Sequence, residues 1–205
     1  MTAVRVVVYD GADEIDFVGP YEVFRRAAGL RAGLDVRLVT LEPQREVTAA
    51  HGLCVRPDGV LERSADLVII PGGGYVGHAA RGVRAEILRG VLPATIAAVH
   101  EGGATLAGVC TGAMALSAAG LLDGRPATTH HGALDDLRAT AARVVQARVV
   151  DDGDILTCGG VTASLDLALW AVERFWGADT ADVIAAALAY QRSPDVHVSG
   201  RPRRL

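Results

Sequence analysis

Gly108-Val109-Cys110-Thr111-Gly112 reads G-x-C-x-G at the joint between an apolar run, Thr105–Val109, and a helical pattern, Thr111–Ala119, that stops at Gly120. This is the nucleophile-elbow pattern with sulfur in place of a serine oxygen. Its glycines remove Cβ atoms where strand and helix must nearly collide, so the central side chain is exposed on a sharp, strained turn. The helix beginning at Thr111 is expected to aim its first amides and positive dipole end at the sulfur, which lowers a thiol pKa. Cys110 is therefore the candidate nucleophile, whereas Cys54 and Cys158 read as small buried residues.

Working outward, Val4–Tyr9 and Asp66–Pro71 are short, continuous apolar runs of the kind buried on both faces of a sheet. Asp35–Leu41 alternates as a further strand, and residues 46–61 read as a hairpin around His51-Gly52. Pro20 fits a helix N1 position, so the spacing predicts a helix over Tyr21–Leu30. Further helices are expected over Arg84–His100, near Leu134–Thr140, from Thr162 to Trp176 and from Asp179 to Tyr190. Ala127–Thr129 reads as a short strand, and Val144–Val150 with Ile155–Cys158 flanks Asp151-Asp152-Gly153 as a hairpin. The Thr162–Trp176 helix is apolar nearly all round, so it is expected to lie between the sheet and another layer. Strands alternating with helices over one domain length predict an α/β fold. We expect a single-domain three-layer sandwich with a mostly parallel, doubly wound, flavodoxin-like sheet. An ordered core is expected over about 3–192, with a tail from about 193 to 205.

Composition narrows the chemistry. The chain has 205 residues, half of them hydrophobic, and a net charge of −4, enough for one core without staples. All 20 basic residues are Arg, and Lys and Asn are absent, which excludes lysine Schiff-base chemistry and a Walker-type phosphate loop. No basic face for nucleic acid or an anionic membrane is indicated, and Arg201, Arg203 and Arg204 read as a frayed end. The N-terminus lacks a signal-peptide pattern and no run reaches membrane-span length, so a cytoplasmic protein with no membrane partner is expected. Three cysteines without CxxC spacing indicate neither a disulfide framework nor zinc, and no cofactor is expected.

In this architecture ligands sit beyond the carboxyl ends of the strands. Gly72-Gly73-Gly74 follows a strand and, with the Thr111 amide, is expected to offer N–H groups as an oxyanion hole. Gly72-x-Gly74-x-x-Gly77 also matches a dinucleotide fingerprint, but the next strand ends at Cys110 where a ribose-binding acid belongs, so a nicotinamide cofactor is discounted. Asp13-Glu14-Ile15-Asp16 places carboxylates after the first strand, and spacing alone leaves open which faces the site. Thr128-Thr129-His130-His131 brings an imidazole into reach of the sulfur, although either His reads equally as a hydrogen-bonded structural residue. No third metal ligand stands at a sensible spacing.

At these residues the chain resembles the ThiJ/PfpI superfamily, relatives of class I glutamine amidotransferase domains, and within it the bacterial isocyanide (isonitrile) hydratases. The resemblance spans nearly the whole chain. It rests on Asp16 with Gly19-Pro20, on Ile70-Pro71-Gly72-Gly73, on Val109-Cys110-Thr111-Gly112, on Ala118-Ala119-Gly120-Leu121-Leu122 and on Gly124-Arg125. Ala127-Thr128-Thr129-His130 and Gly159-Gly160 with Thr162-Ala163 and Asp166 complete it. It implies Cys110 as nucleophile, Asp16 as its carboxylate partner and Thr111 as an assisting group, with Gly19, Gly72, Gly73, His130 and His131 around a small-molecule substrate. It also implies a homodimer. A thiolate and a carboxylate in contact cannot both be charged cheaply, so one proton is expected to be shared, with Cys110 ionised and Asp16 protonated. Isocyanide hydration is the leading expectation. Glyoxalase- or deglycase-like, amidase-like and free-standing ligand- or redox-sensing roles are the alternatives. A DNA-binding regulator is not expected, since about 15 residues follow the last predicted helix.

Overall fold

The computed structural model describes residues 1–199, so the basic residues Arg201, Arg203 and Arg204 lie outside the described residues. The strands are β1 (Thr2–Val7), β2 (Leu34–Thr40), β3 (Val47–Thr48), β4 (Cys54–Val55), β5 (Gly59–Val60), β6 (Leu67–Ile70), β7 (Thr105–Val109), β8 (Pro126–Ala127), β9 (Arg143–Val144), β10 (Val149–Asp151), β11 (Ile155–Cys158) and β12 (Val196–Val198). The helices are α1 (Glu14–Leu30), α2 (Val83–Arg89), α3 (Val91–Glu101), α4 (Gly112–Ala118), α5 (Leu134–Arg138), α6 (Ala163–Trp176) and α7 (Ala178–Ala187).

Eight strands form the central sheet in the order β12-β10-β11-β7-β6-β1-β2-β5. All neighbouring pairs are parallel except β10 with β11. Helices α1, α6 and α7 pack together on one face, and α2, α3 and α4 on the other. The expected three-layer α/β sandwich is thus the observed architecture. Residues of β6 and β7 are buried throughout because helices cover both of their faces. α6 is covered as its apolar circumference requires, by α1 and α7 on one side and by β7, β10 and β11 on the other.

Several elements differ from their expected bounds, each for a local reason. Helix α1 starts at Glu14, not at Tyr21, because the Asp13 side chain caps it by accepting from the Ile15 amide at 3.1 Å. Pro20 therefore sits inside the helix, where it has no N–H to give the Asp16 carbonyl. The helix expected over Arg84–His100 is two, divided at Gly90, whose φ of 75° lies in the left-handed region. The 46–61 segment forms the β3–β4 hairpin and then adds β5 to the sheet edge. Residues 143–144 pair with β8 rather than extending the β10–β11 hairpin. The segment expected as a tail from about 193 contains β12, parallel to β10. It is held by Asp166, which accepts from the Ser193 amide and the Tyr190 hydroxyl and pairs with Arg148.

The hairpin and α6 are joined by a buried ion pair. Asp151 and Arg174 approach to 2.8 Å with side chains 0% and 3% exposed. Asp151 also accepts from Trp170 Nε1 and the Gly153 amide, each at 2.9 Å. Asp151→Ala removes the carboxylate that neutralises a buried guanidinium and strips two donors of their acceptor. A loss of about 3–5 kcal/mol is expected, read as a fall in denaturant midpoint at unchanged slope.

Candidate active site

The loops that follow β1, β6, β7 and β11 converge at one end of the sheet. β7 delivers Cys110 in a left-handed backbone conformation, φ 54°, which is strained for a residue with a Cβ. The flanking glycines serve as the pattern predicted. A Cβ on Gly108 would lie 2.9 Å from Ala113 N, and one on Gly112 would collide with the Ile70 carbonyl. Thr129 Oγ1 donates to the Cys110 carbonyl at 2.9 Å and fixes the turn from a separate segment. The sulfur faces a cavity of about 160 Å³ walled by Asp13, Tyr75, Val76, Thr111, His130 and Val161, and Cys110 is 6% exposed.

Asp16 lies beneath it, fully enclosed, on the first turn of α1. Three contacts hold that turn: the Asp13 cap, the Ser164 hydroxyl donating to the Ile15 carbonyl at 3.1 Å, and the Gly72 amide donating to Asp16 Oδ2 at 3.0 Å. Oδ1 has no well-formed hydrogen bond of its own, and the Cys110 thiol makes only a weak one to the carboxyl. Burial, followed by the Asp13 charge, pushes Asp16 up to about 8, against the smaller opposing pull of the Gly72 amide. Asp16 therefore keeps its proton at neutral pH.

The sulfur does not behave as expected. Burial and the neighbouring Asp16 push the Cys110 thiol well above its ordinary range, and the Thr111 amide offsets only part of this. The amide at the start of α4 is the one opposing group, and it does not outweigh the desolvation of a sulfide anion. The resting pair is consequently acid and thiol, not acid and thiolate.

The glycine-rich loop is also used differently. The Gly72 amide is spent on Asp16, and the Gly73 amide donates to Thr111 Oγ1 at 3.2 Å, so neither is an open oxyanion donor. A Cβ on Gly72 would stand 2.6 Å from Thr111 N and 3.0 Å from Asp16 Oδ2, which makes this glycine the spacer between acid and elbow. The dinucleotide-like glycines lead into a loop, and no helix begins until Val83. Gly19 is absent from the cavity. It lies where α1 meets α6, and a Cβ there would come within 3.0 Å of Ser164 Oγ. Thr111, expected as an assisting group, lines the cavity beside Cys110.

His130 lines the cavity, whereas His131 is exposed and outside it, its ring 4.0 Å from the His130 ring. His130 Nδ1 accepts from the Gly132 amide at 3.1 Å, which assigns its proton to Nε2. Burial, then His131, holds its pKa below the ordinary imidazole value. His130 is thus a neutral wall, not a cation beside sulfur. Cys158 is buried as predicted, but Cys54 is exposed on the short β4 strand. Among the described residues no group of three or more His, Cys, Asp and Glu side chains could hold a metal ion, and no helix is long and apolar enough to cross a membrane.

Two residues escaped the sequence reading. Tyr9, fully enclosed, donates its hydroxyl to the Pro71 carbonyl and braces the loop that carries Gly72. Gly160 sits between nucleophile and imidazole: a Cβ there would fall on the His130 ring edge and 2.7 Å from Cys110 Sγ. The Gly159-Gly160 pair was its only signal in the sequence.

Known proteins resemble this chain in sequence and in fold. The chain is 32% identical over 198 residues to an isonitrile hydratase of Pseudomonas putida, covering 96% of this chain and 81% of that protein. It is 32% identical over 192 residues to the Parkinson disease protein 7 homolog of Danio rerio, covering 89% and 94%. A crystal structure of a ThiJ/PfpI family protein from Pseudomonas syringae superposes with a TM-score of 0.82 at 28% identity, covering 94% of this chain and 76% of that one. Residues 2–174 match the DJ-1/PfpI family as a unit, and this protein belongs to that family.

Proposed function

We propose that this protein is a cysteine-dependent isocyanide hydratase that adds water to R–N≡C to give the formamide R–NH–CHO. The observation that carries this reading is the wholly enclosed Asp16, which burial keeps protonated directly beneath the Cys110 sulfur. The terminal carbon of an isocyanide holds a lone pair, and protonation turns it into an electrophile. Asp16 gives its proton to that carbon while sulfur bonds to it and the thiol hydrogen passes to the carboxylate. The result is a thioimidate, R–N=CH–S–Cys110, with Asp16 neutral again. Water then bonds to the carbon, one of its protons reaches nitrogen, the C–S bond breaks and the other proton returns to sulfur.

A raised thiol pKa is no obstacle here, because the sulfur loses its hydrogen as it bonds rather than beforehand. A neutral His130 argues against the thiolate–imidazolium pair that an amidase would use. Likeness to the isonitrile hydratase supports the same choice.

Wild-type protein given cyclohexyl isocyanide is expected to release many equivalents of N-cyclohexylformamide by mass spectrometry, and Cys110→Ala none. Turnover of methylglyoxal without turnover of isocyanide would replace this reading with a glyoxalase-like one. One bound equivalent without product would replace it with a sensor.

A further inference from the structure

The cavity above Cys110 carries a single formal charge among the described residues that line it, the Asp13 carboxylate. That charge is fixed in place. Oδ1 accepts the Ile15 amide at 3.1 Å, the Asp13 amide donates to the Gly72 carbonyl at 3.1 Å, and the side chain is only 20% exposed. No cation in the cavity balances it. His51 Nε2 stands 3.8 Å from Oδ2 on the solvent side, with a side chain 78% exposed, and the cavity's own imidazole, His130, is held neutral. Arg84 stacks on Tyr75, 5.8 Å from its ring centroid, but lines a neighbouring groove instead. Asp16 and Tyr9, the other ionisable groups facing the sulfur from below, are both held neutral by burial, as is Cys158. A molecule approaching Cys110 therefore meets one negative charge, with no cation among the cavity's described lining residues, in a partly desolvated wall.

We propose that Asp13 determines specificity by turning anionic molecules away from Cys110 and admitting neutral or cationic ones. In the hydratase reading, on which this second statement rests, the substrates are isocyanides whose substituent is uncharged or carries an ammonium group, not a carboxylate. A carboxylate held within several ångströms of another at an effective dielectric near 20 is disfavoured by tenfold or more.

The test for the cavity itself needs no isocyanide. Cys110 is alkylated with neutral iodoacetamide or anionic iodoacetate at a pH of about 7.2, above the ordinary imidazole value and below the point at which Asp16 ionises, and modification is followed by peptide mass mapping. In each case sulfur bonds to the CH2 carbon, iodide leaves and the thiol proton goes to solvent. The exposed Cys54 is the reference thiol. In wild type the iodoacetamide-to-iodoacetate rate ratio at Cys110 is expected to exceed that at Cys54 by about tenfold or more. Asp13→Asn keeps a good helix cap while removing the charge, and should bring the ratio at Cys110 to within about threefold of Cys54. Faster alkylation by both reagents, from a general change in the thiol, would leave the ratio untouched and overturn the proposal, as would a wild type without discrimination. The substrate statement is tested at the same pH by kcat/KM for isocyanoacetate relative to cyclohexyl isocyanide, expected to rise about tenfold in Asp13→Asn. A charge-dependent alkylation ratio in a protein that turns over no isocyanide would sustain the cavity's selectivity and end the hydratase reading. An unchanged ratio ends the selectivity whatever the hydratase assay gives.

Discussion

Asp16→Asn is expected to yield a protein that withstands heat better than wild type at pH 8 and hydrates almost nothing. The sign follows from the raised carboxyl. In the unfolded chain Asp16 releases its proton near 4, whereas in the folded chain it does so at about 8. Its contribution to stability is therefore fully present below pH 4 and is lost progressively as pH rises towards 8, because only the unfolded chain gains by ionising. The accumulated cost is on the order of a few kcal/mol. An Asn side chain never ionises, and its oxygen can still accept the Gly72 amide. At pH 8 the variant should melt roughly 5–10 °C above wild type. The gap should narrow steadily towards pH 4, and a pH-independent gap would refute the assignment.

Activity should move the other way. Without a proton to deliver, kcat should fall by about 10³-fold, within the usual range for a general acid. The acid form is the active one, so the wild-type kcat/KM should fall with unit slope as pH rises through about 8. Higher stability with lost turnover would mark Asp16 as a residue kept for chemistry at the expense of the fold.

Gly160→Ala is the second large effect. Gly160 has no left-handed φ to forbid a side chain, so the backbone can take alanine and the consequence is steric. The new methyl would fall on His130 Cδ2 and stand 2.7 Å from Cys110 Sγ, so it presses on ring and sulfur together. An overpacked buried site costs about 1–3 kcal/mol, which the fold can absorb. The reaction cannot: a sulfur moved by about 1 Å loses on the order of 10²-fold in rate. The double variant Gly160→Ala/His130→Ala relieves the ring contact alone. Recovered turnover would show that the sulfur returns to its place once the ring contact is gone; a lasting loss would show that the methyl displaces the sulfur by itself.

Much of this was legible in the residues, and the failures share one cause. Short runs such as Leu67–Ile70 and Thr105–Val109 declare themselves because strands covered on both faces have no polar side to show. The elbow is legible because its glycines are forced by contacts with its own helix and with the end of the neighbouring strand. The start of α1 was misplaced because Pro20 is a stronger local signal than an aspartate cap eight residues before Tyr21, the expected first residue of the helix. Gly90 splits a helix whose apolar pattern runs straight through it. The β12 strand depends on Asp166, twenty-seven residues before Ser193, and no local pattern reveals a partner at that distance. Desolvation is the least legible quantity. The helix end beside Cys110 can be read from spacing, but how deeply the sulfur and Asp16 are covered is fixed by α6, β11 and the loop of Gly72 together. The same holds for the amides of Gly72 and Gly73, which look open in sequence and are already engaged in the fold.

The enclosure of Asp16 has a bearing on where atoms in the product come from. With no surface of its own, its carboxyl trades hydrogen with the surroundings only by way of the sulfur above it. Under the proposed chemistry, the formyl hydrogen of each formamide is then a legacy of earlier cycles: the thiol took it from the water that freed one product and handed it down to the acid as the following isocyanide was consumed, so it reaches carbon only in the cycle after that.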